Sequence, residues 1–143
     1  MTDAIERTLE LAASPERVWK ALTDPEELAA WFPDETIDLD VHSGGGGWWR
    51  WTAHGRYAVR FDVVDPPRRL VWSWARDPET PVGQGPTTRV EWTLEPRKGG
   101  GTTIHLRESG FVRPEDRRSN ETGWDHELGE LRDYLGRQPS PRC

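Results

Sequence analysis

Apolar and polar residues alternate along much of this chain, and the breaks in that alternation mark its helices. Ile5, Leu9 and Leu11 share one face of a strand over Ala4–Ala12, with Glu6, Thr8 and Glu10 on the other. Ser14-Pro15 supplies an N-cap followed by proline at the first helical position, so Val18, Trp19 and Leu22 form the inward side of a short helix. Asp24-Pro25-Glu26-Glu27 repeats the arrangement and opens a second short helix that carries Leu28, Trp31 and Phe32 and stops at Pro33.

From Thr36 the period returns to two. Ile37, Leu39 and Val41 form one strand, and a turn at Ser43–Gly47 leads into the run Trp48-Trp49-Arg50-Trp51. The four glycines read as a hairpin turn and not a phosphate cradle, because no Gly-Lys-Ser/Thr follows and no helix opens there. Tyr57, Val59, Phe61 and Val63, then Leu70, Trp72 and Trp74, then Val90, Trp92 and Leu94, and finally Ile104 and Leu106 mark four further strands. Asp65-Pro66-Pro67 and Lys98–Gly101 are turns, while Asp77–Pro86 is a long loop and a candidate pocket rim. The last element is an amphipathic helix over Glu121–Leu135, whose Trp124, Leu128, Leu131 and Leu135 recur at steps of four, three and four. That stripe needs a partner, and the strands offer the only extensive apolar surface. The pattern predicts an α+β fold in which an antiparallel sheet wraps over one long helix and leaves room for a pocket.

Length and composition narrow the class. At 143 residues and 16.4 kDa the chain fits a single domain, expected over 1–137, with a flexible tail at 138–143. The one cysteine, Cys143, excludes a disulfide framework and any metal-type cysteine spacing. With neither a signal peptide nor a membrane-length apolar run, a cytoplasmic location is expected. The net charge of −6 argues against nucleic acid as a partner.

Order of elements and local motifs together resemble a known family. The stretches are Ser14-Pro15-Glu16-Arg17-Val18-Trp19-Lys20-Ala21-Leu22-Thr23-Asp24-Pro25 and Val64-Asp65-Pro66-Pro67-Arg68-Arg69-Leu70-Val71-Trp72-Ser73-Trp74. Thr93-Leu94-Glu95-Pro96 with Gly99-Gly100-Gly101-Thr102, then Ser109-Gly110-Phe111, and Gly123-Trp124 follow in order. The chain is similar to the START-like, or SRPBCC, superfamily, in the branch of the activator of the heat-shock protein ATPase. The resemblance implies the helix-grip fold: strand, two small helices, six further antiparallel strands and a long carboxy-terminal helix. It also implies several possible functions, since members bind apolar ligands, cyclise polyketides or serve as chaperone partners. Where that branch often carries a glutamate just before the Pro-Pro turn, this chain has Val63.

Candidate chemistry is mostly aromatic. Of nine tryptophans, Trp48, Trp49, Trp51, Trp72, Trp74 and Trp92 fall in predicted strands. Shared phase places Trp49, Trp51, Trp72, Trp74 and Trp92 in a pocket wall with Phe61 and the helix residue Trp124, and puts Trp31 and Phe32 near the mouth. Arg7 and Glu108 are charges at inward phases. A register setting Leu9 opposite Leu106 and Leu11 opposite Ile104 would make them a cross-strand ion pair, and Glu108 a polar handle for ligand. His42, His54, His105 and His126 lack ligand-like spacing, and His105 and His126 sit at outward phases, which leaves His54 as the one histidine to watch. Glu26-Glu27 is explained by helix-start electrostatics and Glu115-Asp116 by a solvated loop. No serine lies in a nucleophile elbow. No catalytic residue, metal or cofactor is assigned. The expected function is binding of a small hydrophobic or aromatic ligand between sheet and helix. A cyclase or aromatase-like enzyme and a chaperone-interaction module are the alternatives.

Overall fold

The computed structural model describes residues 4–137. The tail expected at 138–143 lies outside the described residues. The chain runs β1 (Ile5–Leu11), α1 (Pro15–Thr23), α2 (Pro25–Trp31), β2 (Glu35–Ile37), β3 (Gly46–Trp51), β4 (Gly55–Asp65), β5 (Arg69–Ala75), β6 (Thr87–Pro96), β7 (Thr102–Ser109) and α3 (Pro114–Arg137). All seven strands form one antiparallel sheet in the order β1-β7-β6-β5-β4-β3-β2, so the α+β helix-grip expectation is borne out. The two short helices carry the chain from one sheet edge to the other, and hairpins then return it strand by strand. Both begin as the sequence dictates: Ser14 Oγ accepts from Arg17 N at 3.1 Å and Asp24 Oδ1 from Glu26 N at 2.9 Å, each with proline next.

The stripe of α3 faces the concave side of the sheet, with Trp124, Leu128 and Leu131 buried and Leu135 packed at the edge of the core. The helix starts seven residues before the predicted one. Pro114 opens it, and Glu115 and Asp116 occupy its first turn, where the helix dipole favours acids. Residues 115–120 hold no apolar side chain, so periodicity could not reveal them, and the solvated-loop reading of Glu115-Asp116 is corrected.

Two further departures have local causes. β2 stops at Ile37, leaving Leu39 and Val41 outside the sheet, because Asp38 turns the chain at φ 50°. The segment closes over Gly47, where a Cβ would come within 2.8 Å of Asp38 O. The register of β1 on β7 sets Ile5 opposite Glu108, Arg7 opposite Leu106 and Leu9 opposite Ile104, two residues from the expected one. A slip of two keeps every side chain on its face, so phase agreement could not exclude it. The far end of the pair pins the register. A Cβ on Gly101 would lie 2.4 Å from Leu11 O, and Thr102 Oγ1 donates to Ala13 O at 2.7 Å.

Candidate ligand-binding site

A cavity of about 520 Å³ opens between the sheet and the middle of α3. Its aromatic side is Phe32, Trp51, Tyr57, Trp74 and Trp124. Phe32, which ends α2, stacks on Trp124 with centroids 5.8 Å apart and on Trp74 at 5.9 Å, while Trp51 meets it edge-on at 5.3 Å. The rim beyond Trp51 is the β3–β4 turn. It is held by Asp34, whose Oδ2 accepts from Thr52 N at 2.6 Å, a bond that also keeps this carboxyl below its ordinary range. Opposite, Arg113 ties the loop after β5 to the first turn of α3, donating to Asp77 at 2.8 Å and Asp116 at 2.6 Å. Those two carboxylates raise its guanidinium above the ordinary arginine value.

The remaining lining is polar: His54 from the turn, Arg76 from the end of β5, and Asp116, Ser119, Asn120, His126 and Glu127 from α3, with bare Gly123 between them. Glu127 is pushed up to about 8, chiefly by burial and then by Glu130 and Asp34. Arg76 is lowered by burial, against the attraction of Glu108 and Asp116. Its guanidinium lies 4.5 Å from the centroid of the Trp74 ring. Its Nε is buried and has no hydrogen-bond partner among the described residues.

Glu108 lies behind this wall, fully buried. Its Oε2 accepts from Trp74 Nε1 at 2.8 Å and Thr88 Oγ1 at 2.5 Å, and its Oε1 from Trp124 Nε1 at 2.7 Å and Asn120 Nδ2 at 2.9 Å. Four donors from β5, β6 and α3 thus converge on one carboxylate of β7. An ionised carboxylate offers about four acceptor sites, so this one is saturated.

The expected ion pair between Arg7 and Glu108 is therefore replaced by two separate arrangements. Arg7 reaches across the edge of the sheet to Asp125 of α3, Nε to Oδ1 at 2.7 Å, and that bond holds the guanidinium above its ordinary arginine value and the carboxyl below its ordinary range. The tryptophan wall also divides. Phe32, Trp51, Trp74 and Trp124 meet at the cavity. Trp31, Trp49, Phe61, Trp72 and Trp92 do not line it; they are packed in the core, with Trp31 Nε1 donating to Ala21 O at 2.8 Å. His54 is in the lining, and His126, exposed as its phase implied, stands at the mouth. His105 points away and meets Glu95. Among the described residues no group of three or more histidines, cysteines or acids could hold a metal ion.

Sequence reasoning missed Arg76, Asn120 and Thr88, although phase carried the signal for all three. Arg76 continues the inward series Trp72 and Trp74, Thr88 precedes Val90 and Trp92 on their face, and Asn120 stands one turn before Trp124.

A curved antiparallel sheet gripping a carboxy-terminal helix, with two short helices after the first strand, defines the helix-grip class of the START-like, or SRPBCC, superfamily. Within it the chain belongs to the family described as activator of Hsp90 ATPase homolog 1-like protein, whose profile matches residues 12–136. Among solved structures, the DynU16 protein of the dynemicin biosynthetic locus is 26% identical with a TM-score of 0.81, covering 96% of this chain and 48% of its own. This chain thus spans about half the length of that protein. CalU16 from Micromonospora echinospora is 26% identical with a TM-score of 0.75, covering 96% of this chain and 77% of its own. The Aha1 dimer from Colwellia psychrerythraea shares the fold at 22% identity and a TM-score of 0.76, over 94% of this chain and 98% of its own. A comparison with curated proteins gave no match. No helix among the described residues is long and apolar enough to cross a membrane.

Proposed function

We propose that this protein binds a small, flat, largely apolar molecule in the cavity between its sheet and α3, as a cytoplasmic binder. The observation that carries this reading is the cavity itself: about 520 Å³, a volume that suits a drug-sized ligand, walled by four stacked or edge-on aromatic rings and faced by a few polar groups. Phe32, Trp51, Trp74 and Trp124 are the proposed contact residues. Trp49, Trp72, Trp92, Phe61 and Trp31 support them from behind, and Glu108 acts through Trp74 and Trp124 without touching the ligand.

The test uses a position where the cavity is open because a side chain is missing. Gly123 lies on α3 in the lining, and a Cβ there would meet nothing within 4 Å. Gly123→Leu should fill the space and improve helix propensity, by about 0.5–1 kcal/mol. Titration of tryptophan fluorescence with apolar aromatic compounds should show saturable quenching in the native protein. In Gly123→Leu the affinity should fall at least tenfold, with melting temperature kept or raised. Equal affinity in both proteins would remove the cavity as the site.

A second reading, a chaperone-interaction module, is favoured by the family description and by the likeness to the Aha1 dimer. It predicts silence from every aromatic probe and association with a chaperone that Gly123→Leu leaves intact. An enzyme of the cyclase kind would require turnover of a bound ligand, with His54 as the group to titrate.

A further inference from the structure

Resting on the ligand-binding reading above, we infer that the cavity selects a flat aromatic molecule carrying an anionic group, a carboxylate or its equivalent, and that Arg76 is its anchor. Besides Tyr57 and the histidines His54 and His126, four ionisable groups border or back this part of the cavity: Glu108, Asp116, Glu127 and Arg76. Their states differ. Glu108 is saturated by four donors and has no acceptor site left for a guest. Asp116 is committed to Arg113 at 2.6 Å. Burial, then Glu130 and Asp34 facing it, push Glu127 up to about 8 and so disfavour its charged form. Arg76 is the one cation of the four. Its backbone is fixed by donation from N to Pro86 O at 2.8 Å, and its guanidinium lies over Trp74. It takes part in none of the ion pairs of the described residues, and its buried Nε donates to none of them.

A guanidinium cannot shed its proton under ordinary conditions, so a half-buried one whose Nε has no hydrogen-bond partner carries a standing cost that an anionic guest relieves. Its planar fork matches a carboxylate with two parallel hydrogen bonds, and here the ring that carries it also borders the aromatic wall. An aromatic guest lying against Trp51, Phe32 and Trp124 would thus bring an acidic substituent at its edge to Arg76. Glu108 has a positioning role, because its bond to Trp74 Nε1 at 2.8 Å fixes the ring on which the guanidinium rests.

Two probes of one shape separate the charge from the ring system: 2-naphthoate and 2-naphthamide, titrated at pH 7 by quenching of tryptophan fluorescence. The native protein should bind naphthoate at least tenfold more tightly than naphthamide. Arg76→Met should abolish that preference while naphthamide affinity stays within twofold, and Arg76→Lys should restore part of it. Circular dichroism and melting establish that each variant folds, and Arg76→Gln replaces the methionine variant should that one fail. Equal binding of the two probes by the native protein, or a preference that survives in Arg76→Met, overturns the anionic selectivity and leaves the cavity reading standing. Binding of neither probe, in the native protein and in Gly123→Leu alike, overturns both.

Discussion

Phe32 borders two groups of tryptophans that are built differently. On one side Trp49, Trp72 and Trp92, with Phe61, are completely buried, meet one another in tilted and edge-on contacts, and leave their indole N–H groups without hydrogen-bond partners among the described residues. On the other side Trp74 and Trp124 place their N–H groups on Glu108, and their rings face open space together with Trp51. The first group is held by area and dispersion alone, tolerating three unpaired donors for the sake of filled volume. The second has volume left unfilled on one flank, so a charge supplies the orientation that packing does not. An aromatic core and an aromatic cavity thus differ in what fixes their rings, not in residue type.

Truncation should separate the two groups most widely. Trp72→Ala should cost about 3–5 kcal/mol in urea-induced unfolding, since a cavity opens inside a closed block. Trp51→Ala, at a half-buried wall, should cost about 1 kcal/mol while weakening aromatic-probe quenching at least fivefold. Similar stability losses at both positions would erase the distinction. Next in size is Glu108→Gln, which sets an amide NH2 against two N–H or O–H donors. A loss of about 2–3 kcal/mol is expected, together with a changed near-ultraviolet tryptophan circular dichroism. A loss below about 0.5 kcal/mol would mean that the cavity rings are held by packing after all.

The smallest effect concerns the polar flank. Glu127 is held at about 8 in the folded protein against an ordinary 4.5, so the folded state keeps a proton that the unfolded chain releases between those values. Stability therefore falls as pH climbs through that window and is flat above it. Glu127→Gln should match the native protein below about pH 4.5 and gain on it up to about pH 8. After solvent screening at this half-exposed site the gain should reach about 1 kcal/mol, measured as melting temperature against pH. A gain that shrinks with rising pH would reverse the assignment.

How much of this was legible in the sequence follows from what periodicity encodes. A period of two gave β1, β3, β5, β6, β7 and β4 as far as Phe61 their inward faces, and a period of 3.6 gave α3 its stripe, so the helix grip could be read directly; it failed where a bulge turns Val63 outward opposite Val71 and where Ile37 pairs with the outer Trp48. Register could not, since a two-residue slip of β1 leaves Arg7 and Leu9 facing inward while moving Glu108 from Arg7 to Ile5. Parity names a face but not a depth. Trp72 and Trp74 share a phase, yet one is sealed behind Phe32 and the other meets the cavity, because position along the strand decides which neighbour from the helices stands opposite. Arg76 is the next member of that same series, but a charge ends an apolar pattern, so periodicity does not point to it.

The bonds that converge on Glu108 also decide which side of the cavity acts as its door. Swinging α3 away from the sheet would break the contacts of Trp124 and Asn120 and leave a buried carboxylate half unserved, a displacement that costs several hydrogen bonds at once. Across the opening, the turn after Trp51 is fastened by the exposed bond from Thr52 to Asp34. That turn can lift at the expense of a few exposed contacts, those of Thr52 with Asp34 and of Tyr57 with His54 O, with water ready to replace them. Traffic in and out should pass there, with α3 as the fixed jamb. Amide exchange at residues 52–54 running well ahead of exchange at 120–124 would be its trace, and a ligand with a long, stiff tail would have to leave that tail pointing past His54.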